Sequence, residues 1–311
     1  MNNPEEIPVF LATDDNYAKY AAVVIKSVSQ NTKSKPVFCV LTKGLQEDNK
    51  RKIAESADGN SVRFFDIDAS MFEGFKVDVH LSYITIETCF RYLIPELCPE
   101  YDKAVYLDCD TLCLDDIAKF YSMDISDSYA AVARDRQHRD YFNAGVMLFN
   151  CSKLRADGMT KKCMQKTREI NGVSEYLDQD VLNILFEGRV KFFNPRWHIT
   201  PFLFSRRGGL SLKRVVMALE RPGIVHLCGN DKPWTTPKGI NANPFVPLFF
   251  YYLKKTPFAE HAELLLGKPA FSKSMRMMFR NPLFLLKRQF YLRLKYYGKN
   301  AKKVTALQAR R

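Results

Sequence analysis

The sequence predicts an α/β fold, a mainly parallel sheet flanked by helices, on three observations. Short apolar runs rich in Val, Phe and Leu alternate with longer stretches of helical period. Within the first 70 residues their order is strand, helix, strand, helix, strand, which is how parallel strands joined by crossover helices read. Clusters of Asp stand where the apolar runs end, and ligands of open α/β sheets bind outside the carboxyl ends of the strands.

The first run, IPVFLAT from Ile7, ends at Thr13, Asp14, Asp15 and Asn16 and reads as a buried strand entering a loop. A helix follows, with Tyr17, Tyr20, Ala21, Val24, Ile25 and Val28 on one face. Pro36 precedes a second strand, VFCVLT, and a helix from Gln46 to Ser56 leads to a third, VRFFDID. ETCFRYLIPEL predicts a helix, and KAVYLDCDTL a fourth strand whose apolar residues run straight into Asp108. Beyond it come a strand at YAAVA, an apolar element at FNAGVMLFN, a helix around Gln179 to Phe186, a strand at RVKFF and the segment GIVHLCGNDKPW. After Trp234 the pattern gives way to aromatic sequence punctuated by Pro. The expected division is a catalytic domain over residues 1–245 and a basic helical region over 246–311.

A chain of 311 residues with 46% apolar and 13% aromatic content buries a substantial core, which excludes disorder as its main state. The net charge of +13 is uneven: residues 268–311 hold 13 Lys and Arg and no acid, while the preceding part holds 34 bases and 34 acids. The opening MNNPEEIPVFLATDD has no basic segment leading into an apolar one, so no secretory signal is expected and the predicted location is the cytoplasm. Phe245 to Leu253 is the most apolar stretch, but it contains Pro247 and falls far short of the roughly 20 residues that span a bilayer. The eight cysteines form no C-x-x-C pair and read as reduced, buried thiols. Cys109 stands apart because it lies between two acids.

Asp108-Cys109-Asp110 ends a buried strand, and strand geometry would point both carboxylates to one side. Two hard oxygen ligands suit Mg2+ or Mn2+; alone, the triplet reads equally as solvated or capping acids. His226 follows Ile224 and Val225 as if it too stood at a strand end, and an Asp, Asp, His set suits Mn2+ better than Ca2+. Gly229, which permits close backbone approach, then Lys232 and Trp234 follow it. A divalent ion with a lysine can hold a diphosphate and stabilise the charge that builds as it leaves. The implied leaving group is a nucleoside diphosphate.

The ordered set TDDNY (13–17), LDCD (107–110), YFNAGV (141–146), LDQDVLN (177–183) and HLCGNDKPW (226–234) resembles glycosyltransferase family 8, notably the bacterial lipopolysaccharide and lipooligosaccharide glucosyl- and galactosyltransferases. The resemblance covers about residues 7 to 240. It implies a GT-A fold, a UDP-glucose or UDP-galactose donor, Mn2+ with Mg2+ as the alternative, a saccharide or glycolipid acceptor and retention of anomeric configuration. Residue by residue, it puts Asp14 and Asn16 at the uridine, and Asp108, Asp110 and His226 on the metal. Gly229 and Lys232 fall beside the diphosphate, and Arg91, Asp135, Asn143, Asp178 and Gln179 at the sugar. Gln179 stands where a nucleophile would be expected, and an amide oxygen is a poor one, which favours attack by the acceptor on the face that UDP leaves. Asp178 and Asp180 are the alternative helpers. The stretches Asp135 to Asn143 and Val77 to Arg91 depart in length from the family pattern, so the acceptor side transfers least.

Between Phe271 and Tyr297 cations alternate with Met, Phe, Leu and Tyr. After Pro282, Leu283, Leu286, Phe290, Leu294 and Tyr297 fall near one helical face, with Lys287, Arg288 and Lys295 elsewhere. This predicts a helix lying in an anionic membrane surface, carried by residues 271–311. A tail packed on the body is the plainer reading, and no nucleic acid is expected. Two rival functions remain: a non-catalytic basic protein binding membrane or RNA, and an aspartate-nucleophile phosphohydrolase. LDCDTL has the wrong register for the latter, since Thr111 follows the second Asp directly.

Overall fold

The structure is a computed structural model and describes residues 6–76, 85–135, 141–171, 173–174, 176–201, 211–229, 232–235, 243–267 and 288–309. Strands β1 (Glu6–Ala12), β2 (Lys35–Thr42) and β3 (Val62–Asp66) pair in parallel, and β4 (Lys103–Leu107) joins β1 in parallel on its other side. Their continuous apolar runs follow from burial on both faces. Val9 and Leu11 enter the core beneath α1 (Ala18–Asn31), whereas Phe10 between them enters the core on the opposite face. The expected face of α1 is buried at Tyr20, Ala21, Val24, Ile25 and Val28, and α2 (Glu47–Glu55) makes the second crossover.

β5 (Thr111–Cys113) leaves the main sheet, while β6 (Ala130–Arg134), β7 (Phe142–Asn150) and β8 (Val190–Phe192) complete it in the order β3-β2-β1-β4-β7-β6-β8. β7 runs antiparallel to both β4 and β6, so its first residues lie at the carboxyl end of β4. β5 pairs antiparallel with β9 (Ile224–His226) in a separate ribbon, with Thr111 opposite His226. The mixed, mainly parallel α/β architecture is the one expected.

The segment ETCFRYLIPEL departs from the α-helix expected of it. It forms a 3-10 helix over Ile86–Leu93 followed by a single turn, α3 (Ile94–Leu97). Pro95 has no N–H to give the Arg91 carbonyl, which accepts from Ile94 instead, so the tighter winding persists. The remaining helices are α4 (Ala118–Tyr121), α5 (Cys151–Ala156), α6 (Met159–Glu169), α7 (Asp178–Leu185), α8 (Leu212–Glu220), α9 (Val246–Leu253), α10 (Ala259–Gly267) and α11 (Arg288–Gln308).

Beyond residue 245 the chain adds to the core under α1. Phe249 and Leu253 of α9 are buried there, and the Asn31 amide donates to the Tyr252 hydroxyl at 2.8 Å. On α11, buried Tyr296 donates to Glu220 at 2.7 Å and the Asn300 amide to the Pro244 carbonyl at 2.8 Å. Tyr297 also packs on this core, while Leu294 is exposed. Residues 271–287 of the tail, including Pro282, Leu283, Leu286 and Lys287, lie outside the described residues, as does the side chain of Phe290. Among the described residues no helix is long and apolar enough to cross a membrane. All eight cysteines are free thiols, and all but Cys228 are buried.

Candidate active site

One cleft opens at the carboxyl ends of β1 and β4. Its walls include Asp14, Tyr17, Arg91, Asp108, Asp110, Asp135, Asn143, Gly145, Asp178, Gln179, His226, Gly229 and Lys232. Strand pairing explains this convergence of distant residues. β1 and β4 run side by side, which brings Asp14 and Asp108 to one edge. The β4–β7 register sets Leu107 opposite Val146, and the Asp108 N–H donates to the Gly145 carbonyl at 2.9 Å. The β5–β9 ribbon then delivers His226 beside Asp110, and the Leu227 N–H donates to the Asp110 carbonyl at 2.7 Å.

Asp108, Asp110 and His226 each offer a ligand atom within 4.8 Å of the others. His226 Nε2 lies 3.0 Å from Asp110 Oδ1 and 3.6 Å from Asp108 Oδ2. The carboxylates converge by a different geometry from the extended one expected. β4 has ended, and the Thr111 N–H closes a turn on the Asp108 carbonyl at 3.1 Å. Buried Asp110 Oδ1 has no hydrogen-bond partner, and a buried, orphaned carboxylate oxygen facing an imidazole nitrogen is what a divalent cation satisfies. The O, O, N donor set fits a Mn2+ or Mg2+ ion. Behind it, His226 Nδ1 lies 2.8 Å from Nε2 of buried His198, the kind of outer partner that fixes the tautomer and ring plane of a ligating histidine.

Lys232 is 7% exposed and its ammonium contacts Asp110 Oδ2. Burial works to raise the Asp110 pKa, but Lys232 and His226 outweigh it and hold the carboxyl far below the ordinary range. Burial likewise opposes the Lys232 charge, and Asp110 reverses that and raises its pKa. Asp110 and Lys232 therefore face each other as an ion pair at neutral pH.

Arg91 is buried at the opposite wall. Its Nη2 reaches Asp108 Oδ1 and its Nε reaches Asp178 Oδ2, both at 3.0 Å, and Nη1 donates to the Ala144 carbonyl. The guanidinium stands 4.2 Å from the centre of the Tyr106 ring, whose hydroxyl donates to Asp108 Oδ1 at 2.8 Å. Arg91 is thus the clamp that orients both acids. Burial raises the Asp178 pKa against the pull of Arg91. Gln179 Oε1 accepts from the Ala144 N–H at 3.0 Å and from the Asn143 amide at 3.1 Å, and its Nε2 donates to the Tyr141 hydroxyl at 3.2 Å. The Gln179 oxygen is held by two donors.

Asn16 and Asp180 are absent from the cleft wall: Asn16 is exposed and its amide donates to Asp14 Oδ2 at 3.0 Å, while Asp180 accepts from the Ser174 hydroxyl at 2.7 Å and the Tyr176 N–H at 2.9 Å. Asp15 turns away, accepting from the Gln46 N–H at 3.0 Å and the Asn49 amide at 2.7 Å at the start of α2. Cys109 also lines the cleft, yet its thiol donates to the Ala12 carbonyl at 3.1 Å and burial pushes its pKa up, so it remains a neutral thiol. Residues 77–84, 136–140, 230 and 231 lie outside the described residues. Sequence reasoning missed His198, Tyr106 and Gly145. A Cβ on Gly145 would lie 2.2 Å from His226 Cε1 and 2.6 Å from Asp108 Oδ2, so only glycine leaves room for the trio.

Residues 8–237 match the glycosyl transferase family 8 description, and the chain belongs to that family. General stress protein A of Bacillus subtilis is 27% identical over 298 residues, covering 88% of this chain and 100% of that protein. Glycosyltransferase GlyF of Streptococcus pneumoniae serotype 4 is 25% identical over 243 residues, covering 73% of this chain and 57% of that protein. Among solved structures, the galactosyltransferase LgtC in complex with donor and acceptor sugar analogues superposes with a TM-score of 0.68 at 28% identity, over 81% of this chain and 96% of that one. An active-site Gln-to-Glu variant of LgtC gives 0.69 over the same shares. The fold is of the GT-A type seen in LgtC.

Proposed function

We propose, with that family membership as the premise, that this chain moves galactose or glucose from its UDP derivative to a saccharide acceptor, lipopolysaccharide or lipooligosaccharide core, with retention of configuration. The observation that carries the reading is the ring of Asp108, Asp110 and His226 with Lys232 on one wall of the cleft and Gln179, Asn143 and Asp178 on another. One wall suits a diphosphate and the other a sugar. Asp108, Asp110 and His226 would hold Mn2+ or Mg2+, which when bound neutralises charge on the departing diphosphate. Lys232, beside Gly229, supplies the second positive charge. Asp14 and Asn16 meet the uridine. Asp135, Asn143, Asp178 and Gln179 meet the hexose, with Arg91 acting mainly through Asp108 and Asp178.

The bond from the anomeric carbon to the phosphate oxygen breaks and its electron pair leaves on UDP. The acceptor oxygen bonds to the same face, and its proton passes to the departing phosphate oxygen. The Gln179 oxygen, fixed by Ala144 and Asn143, steadies positive charge on the sugar rather than attacking it. The LgtC complex holds donor and acceptor sugar analogues, and an active-site glutamine of LgtC was the residue varied; both support the assignment of Gln179 to the sugar.

In the same reading, residues 1–245 carry the transfer, and the basic region that follows, through residues 271–311, holds the enzyme at the cytoplasmic face of an anionic membrane, where a glycolipid acceptor is confined. Incubation with each UDP-hexose and a lipooligosaccharide core acceptor, followed by proton NMR of the product, tests the reaction. An α-linked product supports the reading, and a β-linked product overturns the retaining mechanism.

A further inference from the structure

A second hollow lies at the far end of the β5–β9 ribbon from His226. It is walled by Asp115, Lys119, Arg196, Arg214, Met217, Glu220, Arg221 and Lys303, from the end of β5, α4, α8 and α11. Arg221 and Pro222 stand just before β9 and His226 ends it, so the hollow is roughly 13 Å from the candidate metal ligands at about 3.3 Å per extended residue. It is separate from the cleft.

Its charges do not balance. Both acids are already engaged: Asp115 with Lys119 at 2.7 Å and Arg196 at 2.5 Å, and Glu220 with Tyr296 at 2.7 Å and Lys299 at 2.6 Å. Arg214 of α8, Arg221 just beyond its end and Lys303 of α11 line the hollow with no carboxylate partner among the described residues. Lys299 and Lys303 stand four residues apart on α11, and Glu220 answers Lys299. Arg214 and Met217 stand about one turn apart on α8, Arg221 follows its last residue, and Met217 is 62% exposed. An exposed thioether between two guanidinium groups suits the boundary between headgroups and acyl chains better than a site for a free ion.

We propose that this hollow seats the phosphate of an anionic lipid headgroup and docks the body of the enzyme, through α8 and α11, on a membrane surface. The proposal goes beyond the transferase reading and needs from it only a membrane setting. It shares α11 with attachment by residues 271–311 and differs from it in Arg214 and Arg221, which lie on the body.

The test is co-sedimentation of the full chain with phosphatidylcholine vesicles, with and without phosphatidylglycerol. The native protein binds only the vesicles containing phosphatidylglycerol. The double variant Arg214→Ala and Arg221→Ala binds them about tenfold more weakly or worse, from the loss of two cations near the surface. Lys161→Ala with Lys162→Ala, an equal charge change on exposed positions of α6, stays within twofold of native. Equal loss in both double variants, or native-like binding by the first, overturns the proposal. So does saturable binding of inorganic phosphate that needs Arg214 and Arg221 without any vesicle binding, which would make this a soluble anion site. UDP-hexose hydrolysis is measured on the same samples. Its absence from the native protein while vesicle binding follows the pattern above would sink the transferase reading and leave this one standing.

Discussion

Gly145→Ala adds one methyl group to the cleft wall, against His226 and Asp108. The glycine has no left-handed backbone to explain it; it is there for space. The added carbon would stand 2.2 Å from His226 Cε1 and 2.6 Å from Asp108 Oδ2, whereas carbon atoms rest at about 3.5–4.0 Å. Relief requires His226, Asp108 or strand β7 to move on the order of 1 Å. Metal sites tolerate roughly 0.2 Å in ligand distance, and a misplacement of about 1 Å costs on the order of 100-fold in rate. Overpacking itself costs about 1–3 kcal/mol, a loss a core of this size survives. The variant should therefore fold, melt earlier, bind Mn2+ at least tenfold more weakly in a calorimetric titration and lose about 99% of its turnover. Mn2+ affinity and turnover within twofold of native would refute the reasoning, because they would mean that the trio does not act as a fixed set.

His198→Ala removes the outer partner of His226 Nδ1 and should lower Mn2+ affinity about 10–100-fold with little change in the far-ultraviolet circular dichroism. Arg91→Met leaves Asp178 buried without its cation and should destabilise the fold by about 3–5 kcal/mol in urea unfolding. Native Asp110 resists the proton that an unfolded aspartate takes up near 3.8, so the unfolded chain binds more protons below that value. The contribution is present above pH 3.8 and is lost as the pH falls toward the lower native value, so urea midpoints should drop on acidification and drop less steeply in Asp110→Asn. Gln179→Ala should lower turnover more than it changes the KM for UDP-hexose, since its oxygen acts on charge that develops during transfer.

The parallel half of the sheet was legible because strands buried on both faces are written as apolar runs, and each run of β1 and β4 stopped at an acid. That was enough to bring Asp14, Asp108 and Asp110 together. The ribbon that carries His226 was harder to read: β5 and β9 have three residues each, and the link between Asp110 and His226 spans more than a hundred positions. His198 left no local signal, since its role exists only once Ile199 bridges Val225. Gly145 looked like one more small residue in FNAGVMLFN, because its reason is the volume of two side chains from other strands. The 3-10 winding before Pro95 was hidden by a helix-like apolar pattern that local period cannot distinguish. In the tail, Tyr297 belongs to the apolar face predicted from the sequence and packs on the body.

The central claim is that the trio and Lys232 form the metal-diphosphate half of a hexosyltransferase site. Hydrolysis of UDP-glucose and UDP-galactose without acceptor, with and without Mn2+, tests it in the native protein and in Asp110→Asn. Cleavage of at least one donor that requires the metal and disappears in the variant is the predicted result. No cleavage of either donor with Mn2+ or Mg2+, or cleavage that survives Asp110→Asn, would contradict it.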